Sequence, residues 1–380
     1  MDFNFDTKTV HFQKKKSGQP ATKATPIYQT SAFTFEDIED LENFYKGKND
    51  YLYTRVGNPN TDDLGEGVAQ LEGAPKGLST SSGISAIMAG ILSAVKSGDH
   101  IVACDDLYGG TYTLLSEELP DFGIEVSFVD FTDKQAIRNT VKPNTKLLYT
   151  ESVTNPLLRV EDIDSIVELA KEMDLYTMVD NTFATPYLVQ PYLQGVDLIV
   201  HSATKYIGGH SDVTAGVLAG KENLVAKAKA KVINLGSNLG PFDGWLACRG
   251  LKTLSVRMER HVKNAALLAA SLRETEGIKK VYYPEFVSEK GNGAIVTIEL
   301  EEQVPVENFV KSLDWVKFVA TLAGVDTSVS YPIATSHRSI PEETRQRLGI
   351  NKQLLRVSVG IEDSKDIVEA FKNAVKKSLS

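Results

Sequence analysis

The sequence predicts an α/β fold: a large, mostly parallel sheet covered by helices, followed by a smaller C-terminal α+β domain. Three observations carry this. Between residues 77 and 219, seven short apolar runs alternate with amphipathic helical patterns, as in a parallel sheet buried on both faces. Around 234–245 the chain turns rich in Asn, Gly and Pro, which is loop material. The length, 380 residues, exceeds the roughly 250–300 residues at which single cores stop growing.

In chain order, residues 1–55 read as an N-terminal arm. They hold the basic run Lys14-Lys15-Lys16 and an extended stretch over 26–35, with weak period-2 spacing. Residues 56–240 form the large domain. Its first element is an amphipathic helix over 62–72, with Leu64, Val68 and Leu71 at helical spacing. Strand runs follow at 77–80, 100–103, 126–129, 146–150, 175–179, 198–200 and 216–219, with helical patterns between several, such as 84–95 and 163–173. Residues 241–380 form the small domain. One long helix spans 245–273, strand candidates lie at 280–283, 294–300, 316–319 and 354–359, and a helix over 364–377 closes the chain.

Composition narrows the function. Hydrophobic residues are 42% and charged residues 24%, which excludes a disordered or collagen-like chain. Lys plus Arg number 41 against 50 Asp plus Glu, a net charge of −9. That balance argues against general nucleic-acid binding and against docking on an anionic membrane. Cys104 and Cys248 are the only cysteines; no disulfide framework or zinc ribbon is possible, and no metal site is expected. No apolar run approaches the roughly 18 residues of a membrane span. The first sixteen residues are charged and lack an apolar core, so we expect no secretory signal and a cytoplasmic protein.

The chemistry concentrates at strand ends, where open α/β sheets bind ligands. The run 198–200 leads into His201-Ser202-Ala203-Thr204-Lys205. A desolvated lysine there loses pKa and can form a Schiff base, and the two hydroxyls suit a phosphate; a lysine after a strand is also a common solvated residue. The run 175–179 ends in Asp180, 25 residues earlier, about one βαβ crossover. A carboxylate at that edge keeps a pyridine nitrogen protonated, as pyridoxal phosphate (PLP) requires; a turn-forming aspartate is the plainer reading. Ser79-Thr-Ser-Ser-Gly83-Ile84 opens a helix and offers free N–H groups to an anion, or simply a serine cap. Tyr108, after another strand, can stack on a pyridine ring or cap the core.

Eight motifs occur in order: Tyr53-Thr-Arg55-Val-Gly57-Asn58-Pro59, Ser82-Gly83, Leu107-Tyr-Gly-Gly-Thr111, Glu151-Ser-Val-Thr-Asn155-Pro156, Val179-Asp-Asn-Thr182, His201-Ser-Ala-Thr-Lys205, Gly209-His-Ser-Asp212 and Leu355-Arg356-Val-Ser-Val-Gly-Ile. Over nearly its whole length the chain resembles the cystathionine γ-synthase-like, Cys/Met-metabolism PLP enzymes. The resemblance implies the aspartate-aminotransferase-like PLP-dependent transferase fold, with a seven-stranded sheet. It implies homotetramers built as dimers of dimers with shared active sites. By the same resemblance Lys205 is the Schiff-base lysine and Asp180 the ring-nitrogen partner. Tyr108 is the stacking and leaving-group tyrosine. Gly83, Ile84, Ser202 and Thr204 form the phosphate cup, and Tyr53 and Arg55 reach the phosphate of the neighbouring subunit. Asn155 lies near the cofactor's O3′, and Arg356 holds the substrate α-carboxylate.

Some positions depart from the family pattern. Thr113 stands where many cystathionine-handling members have arginine, which makes it a candidate selector of substrate. Gly110 stands where methionine γ-lyases have cysteine, and Ser330 where some γ-lyases have glutamate. His337 and Arg338 are the other basic residues that would reach a distal carboxylate. The reading is a PLP-dependent C–S lyase acting by β- or γ-elimination on cystathionine, homocysteine, cysteine or methionine. Its rival is γ-replacement on an O-acylhomoserine. A catalytically silent binding module of the same fold conflicts with the joint presence of Lys205, Asp180, Tyr108 and Arg356.

Overall fold

The structure, a computed structural model, describes residues 3–13 and 22–379. The basic run at 14–16 lies outside the described residues. The arm contains two helices that were not anticipated, α1 (Phe5–His11) and α2 (Ile38–Tyr45). Phe12, just past α1, is buried against Gly67 of the third helix, where a Cβ would lie 2.4 Å from its ring. Helix α3 (Pro59–Glu72) starts three residues before the expected point. Asn58 caps it, accepting from the Asn60 N–H, and Pro59 occupies its first turn.

Seven strands form the large sheet: β1 (Lys76–Thr80), β2 (His100–Cys104), β3 (Glu125–Val129), β4 (Thr145–Glu151), β5 (Tyr176–Asp180), β6 (Leu198–Ser202) and β7 (Gly216–Gly220). Their spatial order is β1-β7-β6-β5-β4-β2-β3, and β7 alone runs against its neighbours. All seven expected runs are strands, and mostly parallel is the right description.

The connections carry helices α4 (Gly83–Ala94), α5 (Gly109–Thr113), α6 (Leu119–Asp121), α7 (Lys134–Thr140), α8 (Ile163–Glu172) and α9 (Thr185–Leu188), and α10 (Glu222–Leu235) follows β7. A five-residue π-helical turn, Leu114–Glu118, joins α5 to α6. One apolar core lies between the sheet and α4, α8 and α10. A second joins its other face to α3 and the helices that follow α10.

The single helix expected over 245–273 is two helices, α11 (Pro241–Leu251) and α12 (Leu254–Arg273). A buried arginine stabilises the break. Arg257 donates to the Gly250 carbonyl at 2.8 Å, to the Tyr206 carbonyl at 2.7 Å and to the Thr253 hydroxyl at 3.0 Å, satisfying acceptors the interrupted helix leaves open. Helical periodicity runs through such a break, so the sequence pattern did not reveal it. Helix α11 packs on α3 and α12 reaches both cores, so the residue 240/241 boundary falls where a helix still packs on the large sheet's layer.

The second sheet has order β10-β11-β12-β9-β8, from β8 (Ile278–Tyr282), β9 (Ile295–Leu300), β10 (Lys317–Phe318), β11 (Ser328–Ser330) and β12 (Leu354–Ser358). Its partners are α12, α13 (Val306–Ser312) and α15 (Ser364–Leu379), while α14 (Glu342–Leu348) lies on the surface. The three-residue β11 is too short to show a period and was not anticipated. Among the described residues no helix is long and apolar enough to cross a membrane, and no group of three His, Cys, Asp or Glu could hold a metal.

Candidate active site

Strands β4, β5 and β6 are parallel neighbours, so their carboxyl ends share one edge. Asp180 ends β5, and Lys205 follows β6 by one turn, its N–H donating to the Ser202 carbonyl at 3.0 Å. The expected crossover geometry holds: both residues line one cavity of about 570 Å³. Helix α4 brings Gly83 and Ile84 to it, the loop before α5 brings Tyr108, β4 and its exit bring Glu151 and Asn155, and β12 brings Arg356.

The electrostatics are those of a cofactor site. Burial, then the nearby Arg356 charge, lowers Lys205 to about 8, and its Nζ donates to the Thr321 hydroxyl at 3.1 Å. Burial raises Asp180; the Thr182 N–H at 2.9 Å opposes that shift. Arg356 is buried and lowered to about 10 by burial. It donates through one Nη to Asn155 Oδ1 at 2.8 Å, while its Nε has no hydrogen-bond partner. That open guanidinium edge is what a carboxylate would fill.

The cradle at α4 is tight. A Cβ on Gly83 would lie 2.8 Å from the Ser202 Cβ, so only glycine lets the helix N-terminus meet β6. Ser82 caps the helix, accepting from the Ser85 N–H at 3.1 Å. Ser202 and Thr204 line the cavity, though the Thr204 hydroxyl is already tied to the Ala215 backbone. The anion-binding N-terminus, the hydroxyls, the carboxylate and the lowered lysine fit pyridoxal phosphate.

Other expected residues lie elsewhere. Tyr53 and Arg55 are exposed, do not line this cavity, and stack on each other, with the guanidinium carbon 5.6 Å from the ring centroid. Thr113 lies outside the lining, its hydroxyl 3.1 Å from that of Ser339. His337 is fully buried, with its ring nitrogens bonded to the Ser336 hydroxyl and the Asn155 carbonyl, and Arg338 is exposed outside the lining. Neither offers a cation to the cavity. Residues that sequence reasoning gave no role include Thr321, Thr182 and Glu151. Glu151 opened one of the motifs above; its place at the end of the apolar run 146–150 was the available signal.

This fold and site define a PLP enzyme of the aminotransferase-like class. The family profile for Cys/Met metabolism PLP-dependent enzymes matches residues 6–376, and the chain belongs to that family. Its cofactor is pyridoxal 5′-phosphate. A cystathionine beta-lyase of Lactococcus lactis subsp. cremoris is 39% identical over 382 residues, covering 98% of each chain. A cystathionine gamma-synthase/O-acetylhomoserine (thiol)-lyase of Bacillus subtilis is 38% identical, covering 99% of this chain and 97% of its own. A crystal structure assigned as an O-acetylhomoserine (thiol)-lyase of Campylobacter jejuni, holding a pyridoxyl-lysine phosphate, superposes with a TM-score of 0.93 at 29% identity, covering 98% of this chain and 100% of that one.

Proposed function

We propose that the protein is a PLP-dependent carbon–sulfur lyase that eliminates at Cβ or Cγ of cystathionine, homocysteine, cysteine or methionine, releasing a thiol, ammonia and a 2-oxo acid. The observation that carries this reading is the convergence of Lys205, Asp180, Tyr108 and Arg356 on one cavity. Bound pyridoxal phosphate supplies the electron sink for charge developing at Cα.

The chain supplies the rest. The Gly83 and Ile84 N–H groups and Ser202 would hold the phosphate, and Asp180 would pair with the ring nitrogen. Arg356 binds the α-carboxylate through its open edge, with Asn155 fixing the guanidinium. The Lys205 amine, freed of its proton near pH 8, takes the Cα proton at Nζ. Tyr108, its backbone N–H donating to Glu151, would stack on the ring.

Among the described residues only Lys205 and Arg356 of the cavity lining are basic, so no described cation stands at the distal end of the substrate. The second reading is γ-replacement on an O-acylhomoserine, favoured by the nearly equal identity of the beta-lyase and the gamma-synthase/thiol-lyase relatives. Cystathionine, methionine, O-acetylhomoserine and O-succinylhomoserine, assayed side by side with products identified, decide between them. A 2-oxo acid and ammonia from cystathionine support the lyase. Cystathionine formed from an O-acylhomoserine and cysteine, without 2-oxo acid from cystathionine, overturns it. We also read the exposed Tyr53 and Arg55 as completing the site of a second copy in a cytoplasmic homotetramer.

A further inference from the structure

We propose that Glu151 and Asp180 act as one carboxyl pair holding a single proton, kept on Glu151, so that Asp180 alone is the anion facing the cofactor ring. The inference rests on the reading above, in which Asp180 is the ring-nitrogen partner. Glu151 ends β4, Asp180 ends β5, and the two are register partners in parallel strands. Their side chains therefore leave the same face of the sheet. Both line the cavity. Two carboxylates so placed, away from bulk water, do not both ionise, and they titrate as a pair.

The hydrogen-bond donors decide which one keeps the proton. Asp180 accepts from the Thr182 N–H at 2.9 Å, the Thr182 side chain also bonds to it, and the His201 imidazole favours its charge. Glu151 accepts one backbone bond, from the Tyr108 N–H to Oε1 at 2.7 Å. Its other neighbours are mostly acidic: Asp180 from β5, Asp106 from the loop after β2, and Glu161 from the segment after β4. Tyr149 from β4 and Arg356 from β12 also face it. Glu161 is already bonded to Arg159 at 2.8 Å, and Arg356 to Asn155. Burial, then the Asp180 charge, holds Glu151 well above its ordinary 4.5. Since Oε1 accepts the Tyr108 N–H, the proton sits on Oε2. Glu151 is thus a positioning residue: it spares Asp180 a second charge and fixes the Tyr108 backbone.

The sign of the pH dependence follows. A carboxyl raised in the folded state binds a proton there that the unfolded chain releases above about pH 4.5, so stability falls as pH rises above that value. Glu151→Gln keeps the shape and the Oε1 acceptor but has no proton to lose. In the holoenzyme, its thermal midpoint should gain on wild type steadily from pH 5.5 to 8.5. Cofactor retention at pH 7, read by absorbance after dialysis, should stay within about threefold of wild type. Asp180→Asn should loosen the cofactor by about tenfold or more, a charge-assisted bond's worth. In the Asp180→Asn background the pH-dependent gain from Glu151→Gln should shrink.

Parallel pH profiles for wild type and Glu151→Gln would overturn the proposal. So would cofactor loss in Glu151→Gln equal to that in Asp180→Asn. If Asp180→Asn leaves the cofactor band and retention unchanged, the site reading itself fails, and the pair with it. Should Glu151→Gln not fold, infrared spectra of Asp106→Asn holoenzyme answer instead. A protonated-carboxyl band persisting at pH 8 supports the pair, and its absence overturns it.

Discussion

An ordinary lysine amine stays protonated to about pH 10.4; Lys205, buried beside Arg356, gives up its proton near 8. In the proposed role the neutral Lys205 amine captures the cofactor, so the rate at which cofactor-free protein takes up pyridoxal phosphate should climb through about pH 8 and then level. A rate still climbing at pH 10 contradicts the lowered value. Asp180→Asn removes a buried charge-assisted hydrogen bond, worth about 1.5–3 kcal/mol, so turnover should fall about ten- to a hundred-fold or more; near-normal kinetics would refute its role. Lys205 and Asp180 were legible in the sequence because a lysine and an aspartate ending apolar runs announce a ligand edge. Glu151 was not, because its role depends on which residue lies beside it in the next strand, and single-strand patterns do not carry register.

At the scale of elements, the junction of α4 with β6 is a tightly constrained piece of the site. Gly83→Ala places a methyl 2.8 Å from the Ser202 Cβ and 3.0 Å from its Cα. Overpacking costs about 1–3 kcal/mol, so cofactor affinity, measured by titrating the cofactor-free protein, should weaken by about fivefold to a hundredfold or more; unchanged affinity would show that the cradle tolerates a side chain. The seven strands of the large sheet were readable because buried strands are short apolar runs between turn signals. The break between α11 and α12 was not, because helical spacing continues through it and the Arg257 bonds that close it, to Gly250 seven residues back and to Tyr206, leave no mark in the pattern. Helices α1 and α2 were not anticipated: α2 repeats its apolar residues Ile38, Leu41 and Tyr45 over barely two turns and buries none of them, and α1 is too short to repeat a pattern.

For the whole molecule, one cavity with two basic lining residues sets the substrate range. A site lacking a cation for a distal carboxylate does not penalise substrates that lack one. Homocysteine or methionine should therefore be cleaved with kcat/KM within roughly tenfold of cystathionine, about 1.4 kcal/mol. A strong preference for cystathionine would point to a cation supplied by another subunit. The exposed Tyr53 and Arg55 invite a second test: co-expressed Arg55→Ala and Lys205→Ala subunits, each inactive alone, should recover part of the activity in mixed dimers, and no recovery would count against a shared site. Every step of the proposed chemistry requires Lys205 to be the residue that holds the cofactor. Reduction of the yellow holoenzyme with borohydride, followed by mass spectrometry of its peptides, tests this directly. The pyridoxyl group should be found on the peptide containing Lys205 and on no other; a label on a different lysine, or none after bleaching, would contradict it.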